Sequence, residues 1–201
     1  LVDYNEFLLK EYEKKNLIGI SLKKVPRGVV KTKVFNAGDS KPKATFKEIK
    51  PMSDVTASKD VYMTVRFEGQ DQLIQLRNFS SRPVTSSWQG EVKGQSAAGG
   101  KIGGGVLIEQ AKASGVRINM PNQFNPTQKP SDTLLREFAR MYKKINPRTS
   151  ETQKEVVAKT KGLAASDPTW WMSKYLGVYY AFSVLNARKQ NAVSSRIYQY
   201  A

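Results

Sequence analysis

The chain has no cysteine and no histidine among its 201 residues. The first absence excludes disulfides, thiol nucleophiles and cysteine-bound zinc. The second excludes histidine general bases, Ser-His-Asp triads, HNH-type nuclease sites and nearly all zinc catalysis. An enzyme made from this alphabet has only carboxylates, lysines, hydroxyls and an oxygen-bound ion, for which Mg²⁺ or Mn²⁺ is expected. Acid is scarce as well: 17 Asp plus Glu stand against 33 Lys plus Arg, a formal charge of +16. Such an excess is the electrostatic footprint of a polyanion binder, with DNA the first expectation and RNA the second. A basic subunit packed on acidic neighbours in an oligomer or virion is the alternative. No apolar run reaches the roughly 18 residues of a membrane span, so none is expected. No signal-peptide pattern is read at the start.

What is present begins with Asp3-Tyr-Asn-Glu6, the pattern of a capping box, which predicts a helix to about Lys15. Leu17–Val25 and Val29–Phe35 read as strands around a Pro26-Arg-Gly28 turn. Between positions 21 and 50 nine Lys or Arg meet two acids, the densest basic segment. Lys23, Lys24, Arg27, Lys31, Lys33, Lys41 and Lys43 are therefore candidate phosphate contacts; a solvated hairpin face is the plain alternative. Asp60–Phe67 alternates apolar and polar, Gly69-Gln-Asp71 turns, and Leu73–Phe79 returns, which predicts a hairpin.

The stretch Ser86–Gly105 follows. Its first half reads as a strand with Trp88, Gly90 and Val92 on one face and Gln89, Glu91 and Lys93 on the other. Its second half is glycine-rich and reads as a flexible loop around Lys101, whose backbone N–H groups and lysine suit phosphate. It has neither the P-loop nor the Rossmann spacing. A short helix from Gly105, a strand Val116–Met120 and a linker 121–130 come next.

The remainder reads as helical. Ser131 caps a helix to about Asn146, with Leu134, Phe138, Met141 and Ile145 on one face. Arg136, Arg140, Lys143 and Lys144 lie on another, suited to phosphates, with a membrane surface second. Ser150-x-x-Gln153 reads as the next cap, and Asp167-Pro168 starts a last long helix whose aromatics surround it. Those aromatics read as core in preference to a base-stacking platform. The expected fold class is α/β: a mixed central sheet over residues 1–120, with a helical region 131–201 packed on it.

Asp71 followed by Glu91-Val-Lys93 resembles the nuclease superfamily named for its PD-(D/E)xK motif. The resemblance implies a restriction-endonuclease-like core in which two carboxylates on adjacent strands hold Mg²⁺ and a lysine helps activate water. On that reading Asp71 and Glu91 are the metal ligands, and Asp71, Glu91 and Lys93 the catalytic set. Asp71 lacks the preceding proline, so Asp60 and Glu68 stay open as substitutes. Ser21-Leu-Lys23 is a rival match for the lysine strand. The segments Ile-Gly-Ile-Ser-Leu-Lys-Lys and Trp-Gln-Gly-Glu-Val-Lys-Gly also look like uncharacterised tailed-bacteriophage proteins. Two functions are thus expected: a basic DNA-binding protein acting as a Mg²⁺-dependent endonuclease, or a non-enzymatic DNA-proximal structural or packaging protein of a virion. The phage resemblance places either in an infected bacterium's cytoplasm or in the particle.

Overall fold

The computed structural model describes residues 43–82, 85–93, 98–120 and 129–200, together with Phe7, Lys10, Glu11 and Lys14. Lys23, Lys24, Arg27, Lys31, Lys33 and Lys41 lie outside the described residues, as do the two strands expected around them and linker positions 121–128. The chain divides into two compact units, Leu1–Ala37 and Gly38–Ala201. In the first, Phe7, Lys10 and Glu11 are helical, as the capping box predicts.

The second unit is built on a five-stranded sheet. Its strands are β1 (Ala44–Ile49), β2 (Val61–Phe67), β3 (Gln70–Asn78), β4 (Trp88–Lys93) and β5 (Ala98–Gly103). They lie side by side in chain order, each antiparallel to the next. The α/β class holds, but the sheet is an antiparallel meander and not the mixed sheet expected. Strand alternation makes one face apolar. Val61, Met63 and Val65 share it with Ile74, Leu76, Trp88, Val92 and Ile102, all buried.

Three local expectations are corrected. The β2–β3 turn is Glu68-Gly69, with φ of 49° and 77°, and Phe67 faces Gln70 across it. Two residues with positive φ match the strand twist best, so the turn falls earlier than Gly69–Asp71 and Asp71 joins β3. The glycine-rich segment contains a strand, β5, where a loop was expected. Its Ile102 lies opposite Gly90, whose missing Cβ leaves room for Leu107 and Ile102 at 3.1 and 3.3 Å. Val116–Met120 is not a strand; its alternation instead buries Val116, Ile118 and Met120 without a ladder.

Among the described residues five helices complete the unit: α1 (Gly104–Ala113), α2 (Asp132–Ile145), α3 (Gln153–Ser166), α4 (Pro168–Leu185) and α5 (Gln190–Tyr200). Ser131 caps α2 as expected, its hydroxyl accepting from the Leu134 N–H at 3.2 Å. The α3 cap sits two residues later than Ser150: Thr152 and Glu155 form the reciprocal box. Asp167 caps α4, accepting from the Trp170 N–H at 2.9 Å, with Pro168 opening the helix. Helix α4 lies against β2 and β3 on the apolar face, and α2 and α3 pack on α4. Helix α5, unforeseen in the sequence, covers the outer edge of β1. The Ala44 N–H donates to Ser195 Oγ at 3.0 Å and the Phe46 N–H to Asn191 Oδ1 at 2.9 Å. Exposed edge groups that would otherwise template another strand are thereby satisfied. Among the described residues no helix is long and apolar enough to cross a membrane.

A polar knot ties the loop before β2 to the helices. Glu151 is buried and accepts from the Val55 N–H, the Tyr142 hydroxyl and the Thr149 hydroxyl at 3.0–3.1 Å. Lys159 bridges Glu151 and Asp54, and this lysine holds the Asp54 carboxyl well below its usual range. Nearby, Lys174 is wholly buried; its ammonium donates to the Ser58 carbonyl at 2.7 Å. Burial pushes Lys174 down to about 8, against the pull of Asp60, Glu151 and Asp54.

Two outcomes test this packing. A Cβ at Gly104 would stand 2.6 Å from both the Trp88 carbonyl and its ring, whereas one at Gly105 meets nothing within 4 Å. Gly104→Ala should therefore cost about 1–3 kcal/mol in urea unfolding, while Gly105→Ala should be neutral or slightly stabilising. The second outcome concerns Lys174. Its folded value lies below the ordinary 10.5, so between pH 8 and 10.5 the unfolded chain binds the extra proton and stability rises with pH. The wild type should gain about 3 kcal/mol over Lys174→Met across that window. Parallel pH–stability curves for the two proteins would refute the buried charge.

Candidate nucleic-acid interface

The Glu-x-Lys motif lies on the sheet face opposite the core. Glu91 is buried, and Lys93 Nζ stands 3.1 Å from its carboxylate. Gln75 of β3 and Lys101 of β5 are its cross-strand partners. Asp71 is held elsewhere: Arg66 Nε donates to it at 2.8 Å and Lys47 stands 3.7 Å away. The Arg66 guanidinium, with Lys47 behind it, lowers the Asp71 carboxyl from its usual range. Asp71 lies four residues along β3 from Gln75, roughly 13 Å at the usual strand rise. Asp60 receives the Gln75 amide at 2.5 Å and has Arg77 at 3.6 Å. It sits on β3's other side from Glu91, its carboxylate bonded to the same Gln75 that lies opposite Glu91. Glu68 is in the turn. The structure thus brings Glu91 and Lys93 together and holds Asp71 away from them. Among the described residues no three carboxylates gather. Two carboxylates must both reach one Mg²⁺ at about 2.1 Å, and the pair Asp71 and Glu91 does not fit that ion.

Cations converge instead between the helices. A cleft of about 990 Å³ opens between the end of α1, the middle of α2, the later half of α4 and α5. Lys112, Arg117, Arg140, Arg188, Lys189 and Arg196 line it, with Glu137 the single acid among the described residues. A second hollow of about 440 Å³ adds Lys143 and Lys144 and shares Arg140, Phe182 and Asn186 with the first. The placement has a local cause. Lys112 lies in the last turn of α1, and Lys143 and Lys144 in that of α2. There the unpaired carbonyls and the helix dipole favour positive charge.

The cations differ in how tightly they are held. Arg196 donates to Gln110 at 2.9 Å and Lys143 to the Glu151 carbonyl at 2.6 Å. The Arg140 guanidinium lies 5.1 Å from the centre of the Phe182 ring. Lys112 pairs with Glu109 at 3.2 Å. The side chains of Arg117, Lys144, Arg188 and Lys189 are exposed, and among the described residues none has an ion-pair or hydrogen-bond partner. Such cations keep their hydration and counterions, which a polyanion would displace. The cleft floor is apolar, with Met141 and the half-buried Tyr179 and Phe182.

Of the contacts expected from sequence, Arg140, Lys143 and Lys144 line the hollows, while Arg136 is exposed on α2 outside them. Lys43 is exposed just before β1. Lys101 is on the sheet's polar face, its ammonium 5.2 Å from the centre of the Phe79 ring. Sequence reasoning missed Lys112, Arg117, Arg188, Lys189 and Arg196. They come from three separate segments, so no local charge run marks them. The available signal was positional: each of the first four lies in a helix's last turn or within a few residues past its end. Most of the α4 aromatics are core, as expected; Tyr179 and Phe182 instead reach the cleft. Comparison with protein-family models, curated proteins and solved structures finds no match.

Proposed function

We propose that the protein binds nucleic acid, DNA first, through the cleft between α1, α2, α4 and α5, and that it holds the strand without cutting it. The observation that carries this reading is the convergence of six cations on one concave surface with one acid among them. Charge of one sign in a cleft with low-dielectric walls focuses the field and raises the local concentration of a polyanion. The alternative, a Mg²⁺-dependent nuclease at Glu91 and Lys93, has less support because Asp71 is held by Arg66 at the far end of β3 and no three acids gather among the described residues. A binding protein without catalysis suits the phage resemblance of the β4 segment. It makes a DNA-proximal structural or packaging role in a virion the working assignment.

Salt provides the test. Affinity for a mixed-sequence DNA should fall steeply as salt rises. Replacing Arg117, Arg188 and Lys189 together by Gln should flatten the log–log slope by roughly 2 to 3, at 0.7–0.9 per phosphate contact. An unchanged slope would remove the cleft from the interface. In the same samples neither Mg²⁺ nor Mn²⁺ should produce nicks. Metal-dependent cleavage that Glu91→Gln abolishes would reinstate the nuclease.

A further inference from the structure

Beyond its charge, the cleft contains a feature that phosphate binding does not need. Tyr179 and Phe182 lie one turn apart on α4, half-buried, with the floor of the cleft between α2 and α5 formed around them. Arg140 stands over Phe182 with its guanidinium carbon 5.1 Å from the ring centre. Both hollows share Arg140, Phe182 and Asn186. A chain running from one hollow to the other therefore passes over this ring–guanidinium pair. Lys143 and Lys144 flank it on one side, and Arg117, Arg188 and Lys189 on the other.

Two polar groups of the cleft are acceptors. The Asn186 amide nitrogen donates to the Phe182 carbonyl at 2.7 Å, which leaves its Oδ1 to accept. Glu137 is exposed in the cleft and makes no ion pair or hydrogen bond among the described residues. A carboxylate here repels phosphate but accepts from a base's exocyclic amine. The cleft thus offers cations, aromatic side chains and acceptors together.

We infer that the cleft is selective for single-stranded nucleic acid, with an unpaired base stacked at Tyr179 and Phe182 and the flanking phosphates on the cations. This rests on the nucleic-acid reading above. A duplex offers phosphates, but its base faces are covered by their neighbours. An unpaired strand offers both, and aromatic stacking adds to affinity without depending strongly on sequence. Arg140 extends the stack through its planar guanidinium.

The experiment compares a short oligonucleotide carrying 2-aminopurine, alone and annealed, at matched salt. The single strand should bind at least about ten-fold tighter, and its 2-aminopurine fluorescence should be quenched on binding. Phe182→Leu should weaken single-strand binding by roughly ten- to a hundred-fold. It should also abolish the quenching and leave the salt slope unchanged. Phe182→Trp should restore affinity and quenching, which a purely structural role for the ring would not produce. Equal affinity for the two forms with a steep salt slope would overturn the selectivity while leaving the nucleic-acid reading intact. Equal binding of poly-glutamate, which has charge but no bases, would overturn both the selectivity and the nucleic-acid reading. No binding of either strand at low salt would overturn both readings.

Discussion

The close approach of α4 to the sheet is the constraint on which the rest of the second unit depends. A Cβ at Gly177 would stand 2.9 Å from Val61 Cγ2. Only a residue without a side chain lets a helix this apolar lie so near β2 and β3. Mid-helix glycine costs about 1 kcal/mol against alanine, which the close contact with Val61 and Leu76 offsets. Trp170, Trp171, Met172, Tyr175 and Tyr180 are buried around the same helix, and α2 and α3 are held against it. On the face of α4 turned to the cleft, Tyr179 and Phe182 are left half-buried. The floor of the cleft is the part of the core helix that the core does not enclose.

Period and caps were legible in the sequence. The β2–β3 hairpin, α1, α2 and α4 follow from alternation and from Ser131, Asp167 and Pro168, whose signals are local. Antiparallel order was not legible, because β5 has glycines where a strand ordinarily has β-branched residues. Its strand character comes from Gly90, Leu107 and Ile102 fitting together, a contact made only in the fold. The α3 cap was misplaced because Ser150 and Thr152 both offer a hydroxyl three residues before a Gln or Glu; Glu155 completes the reciprocal bond.

The same distinction divides the candidate sites. Glu91-Val-Lys93 is a real juxtaposition, since residues two apart on a strand share a face. What sequence spacing could not supply is the third dimension: β3 lies between Asp60 and Glu91, and Asp71 falls at the far end of the hairpin. The basic cleft is the reverse case. Arg140, Lys143 and Lys144 announced themselves as a helical stripe, but their partners Arg117, Arg188, Lys189 and Arg196 are brought there by the return of α5 across α1. Charge that is scattered along the chain becomes one field only after folding.

The seal that α5 places on β1 has a consequence for assembly. Ser195 and Asn191 occupy the backbone groups through which a sixth strand would enter on that side. Among the described residues, any extension of the sheet is therefore confined to the β5 side. A sheet that can grow at one edge only can pair once, around a two-fold axis, and then has no edge left. Through the β1 edge, copies of this chain cannot run on as a ribbon of sheets.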